Sequence, residues 1–391
     1  MSKKSKDTDF DKKSRLSLFI IICLVIAAAT ALITYKLAVG SFDGREALIN
    51  AKRYAEIEQI VADNYIGTAD EDSMRSAAAA AMVRALGDKW SYYMTAEEYA
   101  SYKISSANEL AGIGMSIVVN SDGKFEISSV EPGTVAGNAG LLAGQTLVSI
   151  DGQSVDGMSI TEVQNLIRSK LNLDFNIVVR DENGDDSAVT LACAASYKSP
   201  VSYKMIDNNV GYIRIKNFEA GSGDDARAAI DFLVSSGATS FVFDLRDNPG
   251  GLFDELTKVL DYLLPDGKLF STADKDGNTS TVSSDKICLK YKMAVIVNGN
   301  TYSAAEFFAV TLQEYNWATI VGEQTSGKSR NQVTIELSNG DAIHISTEKY
   351  LTSKGVDLAE VGGVTPNVVI APDSESESDV QIDAALKAVK S

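Results

Sequence analysis

Apolar and polar residues alternate with two different spacings along the C-terminal half of the chain. Short apolar runs predict strands, and longer stretches with apolar positions three or four residues apart predict helices. In chain order we expect the strand Val210–Ile215, the helix Asp224–Val234, the strand Phe241–Leu245, the helix Leu252–Leu264, the strand Ala294–Val297, the helix Ala304–Tyr315 and the strand Ala318–Val321. This order predicts βαβ crossovers and a largely parallel sheet.

Two runs with period-two alternation follow, Gln332–Leu337 and Ala342–Thr347, joined around Asn339-Gly340. Asn-Gly between such runs is a strong hairpin signal. We therefore predict an α/β core with an added β-hairpin over residues 196–372. For residues 373–391 we expect an acidic linker and a short C-terminal helix with a flexible end.

The spacing changes twice in the N-terminal half. Residues 41–107 carry apolar positions at helical spacing, which predicts two or more helices for packing or dimerisation. Residues 108–195 contain short β-rich runs between glycines, and one helix that begins at Ser159 with Glu162 in a capping box and ends near Arg168. The predicted strands here are Gly114–Val119, Phe125–Val130, Thr146–Ile150 and Phe175–Val179. Together they indicate a small, partly open β module.

The segment from Leu16 to Thr34 has no charged residue and follows a basic N-terminus. Its length is close to the roughly 20 residues that a helix needs to cross a bilayer. Because positive charges favour the cytoplasmic side, we expect residues 1–15 in the cytoplasm, an uncleaved anchor over residues 16–38 and the remainder outside, at the cell membrane. The alternative is a cleaved signal peptide, since Ala27-Ala28-Ala29 provides small residues.

Acidic residues outnumber basic ones, 53 to 36, which gives a formal net charge of −17. Such a surface repels phosphate backbones, so nucleic acid is not expected as a partner. Cys23, Cys193 and Cys288 lack the paired spacing of a metal site, and we expect neither a metal nor another cofactor. A Cys193–Cys288 disulfide and two free thiols both stay open. His344, the single histidine, lies in an alternating run, so the base for any nucleophile is expected to be another residue.

Ser303 stands between the strand Ala294–Val297 and an apolar helix. At such a junction its Oγ lies at the carboxyl edge of the sheet, where α/β proteins bind ligands, and the helix N-terminus favours an oxyanion. Serine is also a common N-cap, so this position alone does not establish a nucleophile.

The segment Gly322-Glu323-Gln324-Thr325-Ser326-Gly327-Lys328-Ser329 matches the phosphate-loop pattern. A phosphate loop needs a helix directly after its Lys-Ser pair, whereas Gln332–Leu337 alternates like a strand. Nucleotide binding is therefore disfavoured. A third segment, Asp244-Leu245-Arg246-Asp247-Asn248-Pro249-Gly250-Gly251, ends a strand with paired glycines. Such a pair allows either a close backbone approach to a ligand or simply a tight βα turn.

In this chain order the three segments resemble the carboxyl-terminal processing peptidases, or tail-specific proteases. The nucleophile motif of that family matches Ser303-Ala304-Ala305-Glu306, and its lysine base matches Gly327-Lys328. The resemblance implies a Ser303 nucleophile, a Lys328 base oriented by Gln332, and an oxyanion hole to which Gly250, Gly251 and Ala304 contribute.

The resemblance also implies that residues 108–195 are a PDZ domain, whose carboxylate-binding loop matches Gly112-Ile113-Gly114-Met115. The chain departs from the family in Thr301-Tyr302, where small residues are usual, which makes the wall beside Ser303 bulkier. Glu314 stands where many members carry aspartate. The segment 169–174 lacks the common Gly-Thr pattern.

The sequence as a whole predicts an α/β catalytic core of βαβ units plus a β-hairpin, an inserted PDZ-like β module, an N-terminal helical region and one transmembrane helix. The expected function is that of an extracytoplasmic serine endopeptidase that recognises proteins or peptides by their C-terminal tails and assembles as a homodimer or higher oligomer. The alternative is a catalytically silent PDZ scaffold. Retention of Ser303, Lys328, Gln332 and the glycine turn argues against it.

Overall fold

The structure is a computed structural model that describes residues 19, 21–36, 45–170, 173–192, 194–285, 288–376 and 378–390. The chain divides into two compact units, Met1–Ala81 and Met82–Ser391. The first contains a helix over residues 21–36, here α1, and α2 (Arg45–Asn64), while α3 (Glu71–Arg84) begins in the first unit and ends in the second. The prediction of two or more helices in this region is confirmed.

The transmembrane helix of the predicted fold is not found in the described part of the chain. There, no helix combines the length and the apolar character that crossing a bilayer requires. The predicted anchor over residues 16–38 lies partly outside the described residues, and the part inside them is α1.

The β module is an antiparallel sheet closed by one helix. Its elements are β3 (Met115–Val119), β4 (Phe125–Val130), α5 (Val135–Asn138), β5 (Thr146–Ile150), β6 (Gln153–Ser154), α6 (Ile160–Arg168), β7 (Asp174–Arg180) and β8 (Asp186–Ala192). The strand order is β3-β4-β5-β7-β8, with β6 paired to β5. The predicted capping box of Ser159 and Glu162 starts α6, which buries Val163 and Ile167 against the sheet. The module thus has its own hydrophobic core.

A two-stranded ribbon carries the chain into and out of this module. Its strands are β2 (Glu109–Gly112) and β9 (Ala194–Tyr197), and they pair antiparallel with Gly112 opposite Ala194. The strand β1 (Tyr92–Met94) and the helix α4 (Ala96–Ser106) lead into it. The module is therefore an insertion, and the chain enters and leaves it at neighbouring positions in space, Gly112 and Ala194.

The strands of the central sheet are β10 (Val201–Ile206), β11 (Val210–Ile215), β12 (Ser240–Asp244), β15 (Lys292–Val297), β16 (Ala318–Gly322) and β19 (Val368–Val369). They lie in the order β10-β11-β12-β15-β16-β19. All neighbours from β11 onward are parallel, and β10 is antiparallel to β11. The connecting helices are α7 (Ser222–Ser235), α8 (Phe253–Leu263) and α9 (Ala304–Glu314). The predicted βαβ core is confirmed.

Helices cover both faces of this sheet. On one face α7, α8 and α9 pack over Phe241 and Phe243 of β12. On the other, α11 (Val380–Lys390) buries Ala385 and Val389 against Val242. The predicted C-terminal helix is therefore confirmed, but the expected flexible end is wrong for it, because its apolar face completes the core.

A second sheet lies beside the core and holds the predicted hairpin. It contains β1, β13 (Gly267–Asp274), β14 (Thr279–Ser284), β17 (Arg330–Glu336) and β18 (Ala342–Thr352), followed in the chain by α10 (Leu358–Val361). Its order is β1-β18-β13-β14, with β17 also paired to β18. The hairpin is confirmed, since β17 and β18 pair antiparallel from Glu336 opposite Ala342.

The cysteine pairing left open by the sequence concerns Cys193, which lies outside the described residues. Cys288 carries a free thiol, and so does Cys23. Neither Cys23 nor Cys288 therefore forms a disulfide with another residue that the structure describes.

Candidate active site

Ser303 lies at the sharp turn between β15 and α9, at the carboxyl edge of the parallel sheet. Its backbone has φ 60° and ψ −129°, a left-handed conformation that costs a non-glycine residue about 1–3 kcal/mol. The residue is only 6% exposed. A serine held in a strained strand-to-helix turn, directly before a helix N-terminus, has the placement of a nucleophile.

The glycine turn after β12 packs against the serine turn. Thr301 Oγ1 donates a hydrogen bond to the Leu245 carbonyl (2.8 Å), and Tyr302 N–H donates to the Asn248 carbonyl (3.1 Å). A side chain at Gly250 would begin 2.7 Å from Ser303 Cβ and 2.9 Å from the Ala304 nitrogen, so only glycine fits. Two of the three predicted segments are thus brought into direct contact.

Two of the three predicted oxyanion donors are free to act. The Gly250 N–H donates to Oδ1 of the fully buried Asn248 (2.8 Å), so this N–H is already used inside the turn. The N–H groups of Gly251 and Ala304 have no acceptor among the described residues. The arrangement gives Gly250 a packing role and leaves Gly251 and Ala304 as the candidate donors.

The carboxylate of Glu306 joins the serine turn to the lysine loop. Its Oε2 accepts hydrogen bonds from the main-chain N–H of Ser303 (2.9 Å) and of Lys328 (2.8 Å). Its Oε1 accepts from Gly327 N–H (2.7 Å) and Thr325 Oγ1 (2.5 Å). Glu306 has no exposed surface, and although burial raises the pKa of its carboxyl, these four donors oppose that rise. The main-chain N–H groups of Ser303 and Lys328, 25 positions apart in the chain, therefore share one acceptor oxygen.

Lys328 places its amine in a largely desolvated position. Nζ lies 4.5 Å from the ring centroid of Trp90. Burial lowers the pKa of Lys328 to about 8, against the opposing effect of the negative charges of Asp88, Glu219 and Glu306. A fraction of this amine is therefore neutral near pH 7, which an ordinary lysine does not provide.

Gln332 lies on β17 beside the lysine loop but does not bond the lysine. Its Nε2 donates to the Arg330 carbonyl (2.9 Å) and to Ser346 Oγ (3.0 Å), and Ser346 Oγ in turn donates to Asp88 (2.6 Å). No hydrogen bond joins the Ser303 hydroxyl to the Lys328 amine either. The structure joins the main chains of Ser303 and Lys328 through Glu306 and places Gln332 on the strand that follows Lys328, and the catalytic roles of the three stay a prediction.

An aromatic wall borders the cleft. The Trp90 and Tyr302 rings have centroids 5.7 Å apart, and His344 lies 4.8 Å from Tyr92 and 5.7 Å from Tyr102. Burial, helped by the positive charge of Lys328, lowers the pKa of His344 to about 4. The low pKa makes the imidazole a poor proton acceptor near neutral pH, and that the base is another residue stays a prediction.

Sequence reasoning missed three residues around the lysine, namely Asp88, Trp90 and Glu219. Asp88 and Trp90 precede β1, and Glu219 follows β11, so each reaches the lysine only through the tertiary fold. No local pattern marks such a contact. Glu306 was visible as part of the serine motif, but nothing in the sequence showed that its carboxylate reaches the lysine loop.

The segment that matches the phosphate-loop pattern continues into a strand, as the sequence predicts. The strand β17, rather than a helix, follows Lys328-Ser329 directly. Ser329 Oγ donates to the Asp357 carboxylate, which also pairs with Arg330 at 3.0 Å. The hydroxyl that would hold a metal in a nucleotide site is thus used to fix the loop.

Glu314, whose role the sequence left uncertain, caps a turn at the end of β18. It accepts hydrogen bonds from Thr352 Oγ1 (2.8 Å), from the Ser353 hydroxyl and from Lys354 N–H (3.1 Å). This set of partners gives Glu314 a structural role at the C-terminal end of α9.

The predicted carboxylate-binding loop of the β module connects β2 to β3. Ile113 is buried, and Gly114 has φ 79° with Thr134 so close that no side chain fits. Of the described strands, β3 pairs only with β4, so its other edge is open to a peptide. The groove beside this edge is lined by Gly112, Ile113, Met115, Ser116 and Ile117 and, from α6, by Gln164, Ile167 and Arg168.

Comparison with known proteins agrees with these observations. The profile of peptidase family S41 matches residues 209–370, and a PDZ domain profile matches residues 126–181. Carboxy-terminal processing protease CtpA of Bacillus subtilis is 29% identical over 363 residues, which cover 91% of this chain and 77% of that protein. A carboxyl-terminal-processing protease of Synechocystis is 29% identical over 317 residues, 78% of this chain and 74% of that protein.

Among solved structures, the photosystem II D1 C-terminal processing protease is similar with a TM-score of 0.50 and 24% identity. The match covers 90% of this chain and 92% of that one. This likeness concerns the fold: an S41-type mixed α/β core together with a PDZ domain.

Proposed function

We propose that this chain, whose residues 209–370 match peptidase family S41 and whose residues 126–181 match a PDZ domain, is a serine protease that cleaves proteins recognised by their C-terminal tails. In this proposal Ser303 is the nucleophile and Lys328 its base. The observation that carries it is the Glu306 carboxylate, one oxygen of which accepts the N–H groups of both residues.

The proposed reaction needs a neutral lysine. Lys328 Nζ takes the proton of the Ser303 hydroxyl while Oγ attacks the peptide carbonyl, and the resulting ammonium gives that proton to the leaving amine. The N–H groups of Gly251 and Ala304 stabilise the oxyanion, with the N-terminus of α9 behind them. Water then hydrolyses the acyl-enzyme with Lys328 again as base. The lowered pKa of Lys328 supports this role, since an amine with a pKa near 8 is close to the range of efficient general bases.

Substrate choice is proposed to lie in the PDZ domain. A C-terminal tail would add as a strand at the open edge of β3, with its carboxylate at the loop Gly112–Met115 and its last side chain among Ile113, Ile117 and Ile167. These isoleucine side chains favour tails that end in an apolar residue.

The test compares Ser303→Ala and Lys328→Ala with the exposed controls Ser280→Ala and Lys275→Ala. The substrate is an unstructured protein with an apolar C-terminal tail, and cleavage is followed by gel and by mass spectrometry. We expect both site variants to lose cleavage by at least a thousandfold while the controls retain it. Cleavage that survives either site substitution contradicts the dyad. A wild-type protein that binds tails without cleaving them would instead favour the PDZ scaffold.

We also propose that the enzyme acts outside the cytoplasm as a membrane-anchored homo-oligomer. The support is the uncharged segment after a basic N-terminus, and the exposed Tyr54, Ile57 and Ile60 on α2. Protease added to intact cells should degrade the catalytic region, and light scattering of the detergent-solubilised protein should give a multiple of 41.8 kDa. Protection in intact cells would exclude the proposed location, and a monomeric mass would exclude the proposed assembly.

A further inference from the structure

Asp247 lies in the glycine turn after β12 with a backbone conformation that is strained for most residues. Its φ is 60°, in the left-handed region, and its side chain is more than half exposed. An exposed aspartate buries no apolar surface that would offset this strain. The polar contacts of Asp247 must therefore account for the conformation.

These contacts join Asp247 to the serine turn. Its main-chain N–H donates to Asn298 Oδ1 (3.0 Å), and its Oδ1 accepts from Asn298 Nδ2 (2.9 Å), so the two residues bond each other in both directions. The same Oδ1 also accepts from Asn300 Nδ2 (3.0 Å). Asn298 follows β15 directly, and Asn300 lies three residues before Ser303. Both amide partners thus belong to the turn that carries the proposed nucleophile.

The two oxygens of this carboxylate have different surroundings. The hydrogen bonds from Asn298 and Asn300 to Oδ1 lower the pKa of Asp247, so the carboxylate is charged at neutral pH. Oδ2 lies on the side of Arg214, whose Nη2 is 3.9 Å away and also donates to the Arg246 carbonyl (3.4 Å). Oδ1 is therefore the oxygen that holds the serine turn.

The two candidate oxyanion donors lie on different turns. The Gly251 N–H belongs to the glycine turn, and the Ala304 N–H belongs to the serine turn. The turns touch at Gly250, where a Cβ atom would lie 2.9 Å from the Ala304 nitrogen. The distance between the two donors therefore depends on how the turns dock. Besides the two hydrogen bonds already named between the turns, Asp247 supplies three more.

We propose that Asp247 is a positioning residue for the oxyanion hole: its carboxylate holds the glycine turn against the serine turn and so keeps the N–H groups of Gly251 and Ala304 at the spacing that one oxyanion requires. The proposal rests on the proposed protease function, and Asp247 acts through the two turns rather than on the substrate. The oxyanion exists only in the transition states and intermediates. Loss of the carboxylate should therefore lower kcat and leave KM unchanged.

Three substitutions separate the carboxylate from the backbone that carries it. Asp247→Gly removes the carboxylate but adopts the left-handed conformation without steric cost. Asp247→Asn keeps an Oδ1 acceptor for both amide donors and tolerates the same conformation. Asp207→Gly is the matched control, because Asp207 has φ 47° but lies before β11, at the edge of the sheet opposite Ser303, and pairs with Lys390.

The experiment measures kcat and KM for cleavage of the tailed substrate, and the inhibition constant of a peptide aldehyde. Ser303 Oγ adds to the aldehyde carbon, and the former carbonyl oxygen, which receives the serine proton, lies in the oxyanion hole. We expect Asp247→Gly to lower kcat at least about tenfold, to leave KM within about twofold and to raise the inhibition constant by a factor similar to the loss in kcat. Asp247→Asn and Asp207→Gly should stay within about threefold of the wild type in all three.

An unchanged kcat in Asp247→Gly overturns this role, and so does a change in KM alone or an equal loss in Asp247→Asn. Urea denaturation checks that each variant folds. If Asp247→Gly does not fold, Asn300→Ala decides, because it removes one exposed donor to Oδ1: a lower kcat at constant KM supports the role, and an unchanged kcat overturns it. A wild type that does not cleave, or cleavage by Ser303→Ala, would instead overturn the proposed function itself.

Discussion

At the scale of single residues, one buried carboxylate holds the main chain of both proposed catalytic residues. Glu306 is fully buried and accepts four hydrogen bonds from both sides of the cleft. An amide in its place would turn a donating NH2 toward N–H groups that need an acceptor. Leaving such buried donors unsatisfied costs about 1–3 kcal/mol.

We therefore predict that Glu306→Gln lowers kcat by at least about tenfold and the free energy of unfolding by about 2 kcal/mol, because Ser303 and Lys328 lose their common anchor. Steady-state kinetics and urea denaturation measure the two effects. The exposed Glu360→Gln serves as control and should change neither. Normal kcat in a Glu306→Gln protein that is folded would show that the carboxylate does not position the pair.

Tyr302 stands where the family usually has a small residue, and in the structure its ring lies beside the ring of Trp90. Its ring lies 5.7 Å from that of Trp90, next to the Ser303–Lys328 cleft. Removing one ring should open space beside the scissile bond, and each added methylene in such a pocket changes discrimination by about 1–3 kcal/mol.

Tyr302→Ala should raise kcat/KM for peptides with leucine at a residue flanking the scissile bond about tenfold relative to those with alanine. A peptide set varied on both sides of the cleaved bond measures this ratio. Tyr203→Ala, which removes an exposed tyrosine packed on Phe232, provides the control. An unchanged ratio would mean that the aromatic pair does not contact substrate.

His344 predicts a pH effect on stability. Its pKa is about 4 in the folded protein and near 6.5 in an unfolded chain, so the unfolded state binds more protons between these values. The stability contributed by the neutral ring is therefore present above about pH 6.5 and is lost as the pH falls toward 4. Because the ring is partly exposed, we expect the wild type to lose about 1 kcal/mol more than His344→Gln between pH 7 and 4.5. Parallel stability curves of the two proteins in urea would contradict this.

At the scale of elements, the sequence predicted those parts of the fold whose apolar pattern is local. The strand β11 matches its predicted limits, and α6 begins at the predicted capping box. The sequence pattern did not predict β13 and β14, because β14 is rich in serine and threonine and is a strand only by pairing with β13. The docking of α11 was missed for a similar reason, since its apolar stripe is short and the face it covers is assembled from distant strands.

The packing of α11 leads to a prediction at this scale. Ala385 is fully buried between α11 and the central sheet, and Arg246 after β12 pairs with Asp379 just before the helix (2.7 Å). Ala385→Asp should lower the free energy of unfolding by about 3 kcal/mol, because it places an unpaired carboxylate in the core. Lys387→Gln, on the exposed face of the same helix, changes the charge by the same single unit and should cost less than about 0.5 kcal/mol. Equal losses in urea denaturation would show that α11 does not dock.

At the scale of the whole molecule, the catalytic core and the PDZ domain have separate hydrophobic clusters and are connected through the ribbon of β2 and β9. Asn108 fixes this ribbon to the core: its Nδ2 donates to the Ala220 carbonyl (2.9 Å), and its Oδ1 accepts from Asn217 Nδ2 (2.9 Å). The same loop carries Glu219. The ribbon that carries the PDZ domain is therefore hydrogen-bonded to the loop after β11, a contact that no sequence pattern could reveal because it joins residues more than a hundred positions apart.

Tail recognition can be separated from peptide-bond cleavage by removing the PDZ domain. Because Gly112 lies opposite Ala194, replacing residues 113–193 with an Asn-Gly turn should close the ribbon as a hairpin and leave the core folded. We expect this variant to cleave an unstructured protein but to lose its preference for a substrate with a free, apolar C-terminus over the same substrate with an amidated end. The wild type should show that preference, and Ser303→Ala in the shortened chain should abolish cleavage. A shortened core that melts cooperatively and still prefers the free tail would place tail recognition in the protease core instead.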